Sequence, residues 1–266
     1  MSEHRNPLVL LKYAIVLMPR SAKLFATAVA RRFGFAFHRW PSTRFDAMGD
    51  ALDLLHANGF RPDVVIDVGA NVGLWTATAR ARFPDATYHL VEPQPACIKR
   101  LKAIAEQTPR THVYGTAITR PGVETVLMAR EAGGPEDGGG TFVVNSPASA
   151  LGAIPFPSTT LDSLFAGAGG TRVLLKLDVE GHELQALEGA SALLARTEVV
   201  VAEFWMFRFW NEPMTILPDL IASLDAHGFA FYDVAALQGR QRDRRLVSGD
   251  AIFVRRGSAL LADADW

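Results

Sequence analysis

Beyond residue 60 the chain sets short apolar runs against stretches whose apolar positions recur every three or four residues. The run at 64–68 is Val-Val-Ile-Asp-Val, apolar apart from Asp67, the composition of a strand buried on both faces. Further strands are predicted at 87–91, 112–117, 125–129, 173–177, 198–204, 229–234 and 251–254. Between them the spacing predicts helices over 73–83, stopped by Pro84, over 96–107 and over 182–195, the last with Leu184, Leu187, Leu193 and Leu194 on one face. Another carries Leu217, Leu220, Ile221 and Leu224 and closes at His227-Gly228. Ahead of all these, Phe45, Met48, Leu52 and Leu55 share a helical face that Asn58-Gly59 ends. Alternating strands and helices build a mostly parallel sheet covered on both faces, a Rossmann-like α/β fold. The last two strands have no helix between them, so they pair as an antiparallel hairpin whose loop carries Arg240, Arg242, Arg244 and Arg245. No internal repeat interrupts this plan.

Composition sets the boundaries. The 266 residues are 49% hydrophobic and 21% charged, enough for one full-sized core. We divide them into an N-terminal helical extension (1–44), the α/β domain (45–258) and a short tail (259–266). The extension holds Arg5, Lys12, Arg20, Lys23, Arg31, Arg32 and Arg39 against Glu3 alone. Its apolar stretch at 8–18 is too short to span a bilayer. Such a basic amphipathic helix can lie on an anionic membrane surface; packing on its own domain or on a dimer partner is the more ordinary arrangement. The segment at 131–140 is glycine-rich and reads as a flexible loop, either a lid or a hairpin tip. A net charge of −1 gives no reason to expect a nucleic-acid partner. The single cysteine, Cys97, rules out an internal disulfide and a cysteine zinc site and suits a reducing, cytoplasmic setting, with peripheral membrane contact through the extension as the variant. No oligomeric state follows from the sequence.

Two stretches carry candidate chemistry. In the first, strand 64–68 runs into Gly69-Ala-Asn-Val-Gly73 and a helix. Gly69 allows a sharp turn and Gly73 a close ligand approach to the backbone. Ligands of open α/β sheets bind at the carboxyl ends of the strands, where Asp67 can reach an ammonium group directly or through water. A dinucleotide fingerprint starting at Gly69 would need glycine where Asn71 and Leu74 stand, which disfavours a pyrophosphate cradle. Glu92, ending the next strand beside Pro93, can accept two ribose hydroxyls. In the second stretch, Asp178 ends a strand and Glu180-Gly181 opens a helix, so both carboxylates face the same crevice. Candidate bases are Asp178, Glu180, His182 and Glu203. His182 has the suitable intrinsic pKa, although a first-turn histidine is more often solvated. Glu203 ends its strand facing the acceptor side. Asp178, Glu180 and Glu203 can converge on one divalent ion, but helix-start carboxylates commonly cap, and no metal is assigned. The aromatics of 204–210 either stack on an apolar sugar face or seal the core.

Taken together, Asp67-x-Gly69-x-Asn71-x-Gly73, Glu92-Pro93, Thr160-Leu-Asp162 and Lys176-x-Asp178-Val-Glu-Gly181 resemble the FkbM family of methyltransferases, over roughly 52–255. The resemblance implies a class I methyltransferase fold, with a seven-stranded sheet ending in an antiparallel hairpin, and S-adenosylmethionine as cofactor. It implies transfer of a methyl group to a hydroxyl, often on a sugar or polyketide-like product, so the expected partner is a small-molecule or glycan acceptor. The cofactor set is then Asp67, Gly69, Asn71, Gly73, Glu92, Pro93, Ala117, Asp178 and Glu180, and the catalytic set Glu203, His182 and Asp178. Class I enzymes often carry an acid near the third strand's end; here Thr116-Ala117 stands there, and backbone groups would read the base. An amine or carboxylate acceptor, or a scaffold without turnover, fits the same motifs.

Overall fold

The computed structural model describes residues 32, 44–130, 141–144, 152–208, 214–240 and 242–262. The N-terminal extension apart from residues 32 and 44, the glycine-rich segment 131–140 and the aromatics Phe209 and Trp210 fall outside them, as does the side chain of Phe45. Residues 44–266 form one compact unit. Among the described residues no helix is long and apolar enough to cross a membrane.

The elements run α1 (Arg44–Ala57), β1 (Val64–Val68), α2 (Leu74–Arg80), β2 (Thr87–Val91), α3 (Pro95–Gln107) and β3 (Thr111–Tyr114). Then follow β4 (Ala117–Ile118), β5 (Thr125–Arg130), β6 (Thr141–Val144), β7 (Ile154–Thr159) and α4 (Leu161–Phe165). The chain closes with β8 (Val173–Leu177), α5 (Glu183–Glu188), α6 (Ser191–Ala195), β9 (Thr197–Trp205), α7 (Leu217–Ala226), β10 (Phe229–Gly239), β11 (Leu246–Arg255) and a 3₁₀ turn (Ala259–Leu261).

Seven strands form the main sheet in the order β10-β11-β9-β8-β1-β2-β3. β1 pairs in parallel with β2 on one side and β8 on the other, and β8 with β9. β11 is antiparallel to both β9 and β10, as expected for a hairpin without a crossover helix. The chain leaves β1 in one direction through β2 and β3 and returns on the other side through β8 and β9. The switch point therefore lies between β1 and β8, where a ligand crevice opens beyond the carboxyl ends of the strands.

Strand alternation splits the core into two layers. Ile66, Leu175, Val200 and Phe253 face α4 to α7. Val65, Leu174, Val201 and Ile252 face α1 and α2, where Met48, Leu52 and Leu55 of α1 are fully buried. β1 and β8 are buried along their whole length, which explains their continuous apolar composition.

Three elements differ from the sequence expectation. The predicted strand at 112–117 ends at Tyr114, and Ala117–Ile118 joins a second sheet of order β4-β7-β5-β6. The predicted fourth strand, at 125–129, also lies in this second sheet. The predicted helix over 182–195 is two short helices, because Gly189 packs against α4's cap: a Cβ there would stand 2.7 Å from that of Thr160.

Candidate active site

The β1–α2 turn is held by its backbone. Gly69 N and Ala70 N both donate to Val91 O, at 3.0 and 3.1 Å, fastening the turn to the end of β2. Gly69 has φ +77°, and a Cβ there would come within 1.9 Å of Asp178 O, so the turn on β1 and the end of β8 interlock only around glycine. Gly73 also has positive φ (+84°), but it does not border the cavity: a Cβ there would meet Leu101 and Ile104 of α3 at 3.2 Å. A glycine at this position lets α2 start close against α3.

Asn71 adopts φ +47°, uncommon for a residue with a side chain. Its N–H donates to Glu92 Oε2 at 2.9 Å, while Gln94 N–H donates to Glu92 Oε1 at 2.9 Å. Both carboxylate oxygens are anchored from behind, leaving remaining lone pairs for hydroxyls in the cavity. Burial raises the Glu92 pKa, and the two N–H donors pull it back.

Asp67 is fully buried beneath the crevice rather than in its wall. It lies on the α1/α2 face of β1, where Thr76 Oγ1 of α2 donates to its Oδ2 at 2.5 Å. From there its carboxylate supports the turn. Its Oδ1 has no hydrogen-bond partner among the described residues. Burial raises its pKa, with Lys176 acting in the opposite sense.

Lys176, level with Asp67 on β8, is 1% exposed. Its Nζ lies 2.8 Å from Asp178 Oδ2 and 5.8 Å from the centre of the Trp75 ring. A buried ammonium needs this pairing.

Beyond β8 the chain turns through Glu180 (φ +53°) and Gly181 (φ +93°). Two successive left-handed residues, one with a side chain, are strained by about 1–3 kcal/mol. Glu183 holds the turn: its Oε1 accepts from Val179 N and Gly181 N, each at 3.2 Å. It is completely buried, its Oε2 has no partner among the described residues, and burial pushes its pKa up to about 8. Sequence reasoning missed this residue; the signal was an acidic side chain in a first helical turn, able to reach back to amides before the helix.

His182 is buried, not solvated. Its Nε2 sits 2.9 Å from Thr119 Oγ1, and burial, helped by Arg120, brings its pKa down to about 4. The ring is neutral at pH 7, and it lines the cavity. Glu203, 4% exposed, lies opposite Asp250 in the β9–β11 register. Its carboxylate, Asp178 and Glu180 place one oxygen each within 4.8 Å of one another, so the three side chains converge. That set could take a divalent cation through oxygen, with Lys176 already offsetting part of its charge.

Several of these groups line a cavity of about 290 Å³ over the switch point, near the lower end of the ~300–1,000 Å³ usual for small-molecule sites. Gly69, Asn71, Glu92 and Pro93 form one side, and Asp178, Glu180 and His182 another. Ala117 and Ile118 of β4 add an apolar wall. Met128, Thr141 and Val143 of the second sheet also border the cavity, a contribution the sequence did not reveal. Glu203 is outside the wall, next to Asp178 and Glu180. Burial shifts the pKa values of Asp67, Glu92, His182 and Glu183, all around this one crevice.

The sheet order, three parallel strands out from the switch point on one side and a terminal antiparallel hairpin on the other, is that of class I methyltransferases. The FkbM methyltransferase domain matches residues 67–231, more than half of the chain, and the chain belongs to that family. It is a methyltransferase. No curated protein matches it by sequence. Among solved structures it is similar to the magnesium protoporphyrin IX methyltransferase of Synechocystis PCC 6803, which holds S-adenosylhomocysteine (13% identity, 79% of this chain and 83% of that one, TM-score 0.47). It is similar also to the Burkholderia thailandensis 1,6-didemethyltoxoflavin-N1-methyltransferase with the same ligand (16%, 92% and 89%, 0.45). A third is the fibrillarin of Aeropyrum pernix with S-adenosylmethionine (13%, 78% and 76%, 0.41).

Proposed function

We propose that the protein transfers the methyl group of S-adenosylmethionine to a hydroxyl of a small-molecule or glycan acceptor. The observation that carries this reading is the double anchoring of Glu92 in the cavity wall, next to a turn with no phosphate nest. A ribose diol suits the free lone pairs of Glu92, and Pro93, Ala117 and Ile118 offer a flat apolar wall to a purine. When bound, the cofactor supplies an electrophilic methyl on a cationic sulfur, and Asp178 and Glu180 favour positive charge nearby. Proximity and alignment then provide much of the rate.

The acceptor hydroxyl must lose a proton. We assign that role to His182, which stands in the cavity wall with its Nε2 beside Thr119 Oγ1. In this reading Glu203, beside Asp178 and Glu180, faces the acceptor, and Asp178, tied to Lys176, orients rather than deprotonates. We expect His182→Ala to lower kcat about 100-fold, the range of a general base, with S-adenosylmethionine affinity unchanged. Methyl transfer to a panel of sugars, glycosides, amines and carboxylates tests both points. Turnover only with amines, or full kcat in His182→Ala, would overturn the hydroxyl chemistry or the base.

A further inference from the structure

The β10–β11 hairpin carries charge that the methyl-transfer machinery does not use. Its tip holds Arg240, Arg242, Arg244 and Arg245 against Asp243 alone, in a chain whose net charge is −1. The hairpin continues past the pairing of Ser248 with Trp205 at the carboxyl end of β9. The tip therefore stands at the same end of the sheet as Asp178, Glu180 and Glu203.

Local hydrogen bonds shape this tip. Arg240 N donates to Arg245 O at 2.8 Å and Arg244 N to Arg240 O at 2.7 Å, closing the turn. Asp243 takes the Arg240 guanidinium through both oxygens, at 2.9 and 2.5 Å, and this pairing lowers its pKa. The Arg240 and Arg245 guanidiniums lie 5.6 and 4.7 Å from the centre of the Phe207 ring. Arg242 stands 3.8 Å from Asp243 and keeps 75% of its side chain in solvent.

The support under the tip leads back to the site. Met206 N donates to Val247 O at 2.8 Å, Arg208 Nε to Met214 O at 3.1 Å, and Thr215 N to Gly181 O at 2.8 Å. The basic tip, the segment beneath it and the Glu180–Gly181 turn are thus joined.

We propose that the Arg240–Arg245 tip is an oxyanion site that takes a phosphate or carboxylate group of the methyl acceptor. Arg240 gives its fork to Asp243 and so fixes the turn, while Arg245 rests on the Phe207 ring and Arg242 stands in solvent; planar guanidiniums so placed match oxyanions bidentately. Long basic chains left to sweep a membrane surface would not need such fixing. The acidic crevice does not suit an anion, so the acceptor's charged group rests at the rim while its hydroxyl enters. The acceptor role rests on the methyltransferase reading of the cavity; oxyanion binding itself does not.

The test is calorimetry with inorganic pyrophosphate at low ionic strength, on wild type and on the Arg242→Gln/Arg245→Gln double variant. S-adenosylmethionine titrations and sedimentation with phosphatidylglycerol vesicles run beside it. We expect pyrophosphate to bind wild type, the double variant to bind it about fivefold or more weakly, and cofactor affinity to stay the same in both. Equal pyrophosphate binding by the two proteins, or none by wild type, overturns the site. Arginine-dependent vesicle binding without pyrophosphate binding overturns it too, in favour of a membrane surface. Loss of cofactor binding by wild type would instead refute the cofactor reading and leave the oxyanion result to stand or fall separately.

Discussion

The two sides of the crevice are built differently. On the β1–β2 side, main-chain groups do the holding: Gly69, Ala70 and Asn71 amides meet Val91 O and Glu92, and Gly69 interlocks with Asp178 O. On the β8–β9 side, side chains do it: Lys176 pairs with Asp178, Glu183 holds the Glu180 turn, and His182 leans on Thr119. Backbone holding suits a ligand whose shape never changes. Side-chain holding lets charge and proton affinity be set residue by residue, which suits the face to which the proposed proton transfer is assigned.

Breaking the backbone side has the largest expected effect. Gly69→Ala puts a Cβ 1.9 Å from Asp178 O at φ +77°, and we expect a loss of about 3 kcal/mol or more in urea unfolding, with cofactor binding abolished. An unchanged midpoint would mean that the interlock yields easily.

A smaller effect, with a distinctive pH dependence, is expected on the other side. Burial raises Glu183 from an ordinary value of 4.5 to about 8 in the folded protein. The folded state thus holds a proton that the unfolded state releases, and stability falls as pH rises from about 4.5 to 8. Glu183→Gln keeps the oxygen that accepts from Val179 and Gly181 but cannot ionise. The variant should lose this pH slope and exceed wild type at pH 8 by about 1 kcal/mol or more. Urea midpoints at pH 5 and pH 8 for both proteins check this; parallel slopes would contradict it.

The contrast also explains what could be read in advance. Strand 64–68 and its turn were legible because burial on both faces, Gly69 and Glu92 leave local marks. The second sheet was not, because β7 reads Ile-Pro-Phe-Pro-Ser-Thr, and two prolines argue against a paired strand. β7 tolerates them because Ser158 N bonds toward β5 (to Glu124 O, 2.9 Å), so the alternate Pro155 and Pro157 nitrogens point to the other side, where β4 pairs only with Ser158 and Thr159. The burial of His182 depends on Thr119, 63 residues away, which no local pattern announces. That Asp178, Glu180 and Glu203 lie near one another was legible as a possibility, since all three stand near carboxyl ends of neighbouring strands, though capping was the favoured reading and no metal was assigned. The solvated alternative for His182 failed because a helix cap next to a second sheet is not a surface.

The most direct test of the central claim is calorimetric titration of S-adenosylmethionine into wild type and Glu92→Ala. The account predicts micromolar binding by wild type and a loss of about tenfold or more in the variant, the worth of hydrogen bonds to a buried carboxylate. No binding by folded wild-type protein, or equal affinity in the two, would contradict it.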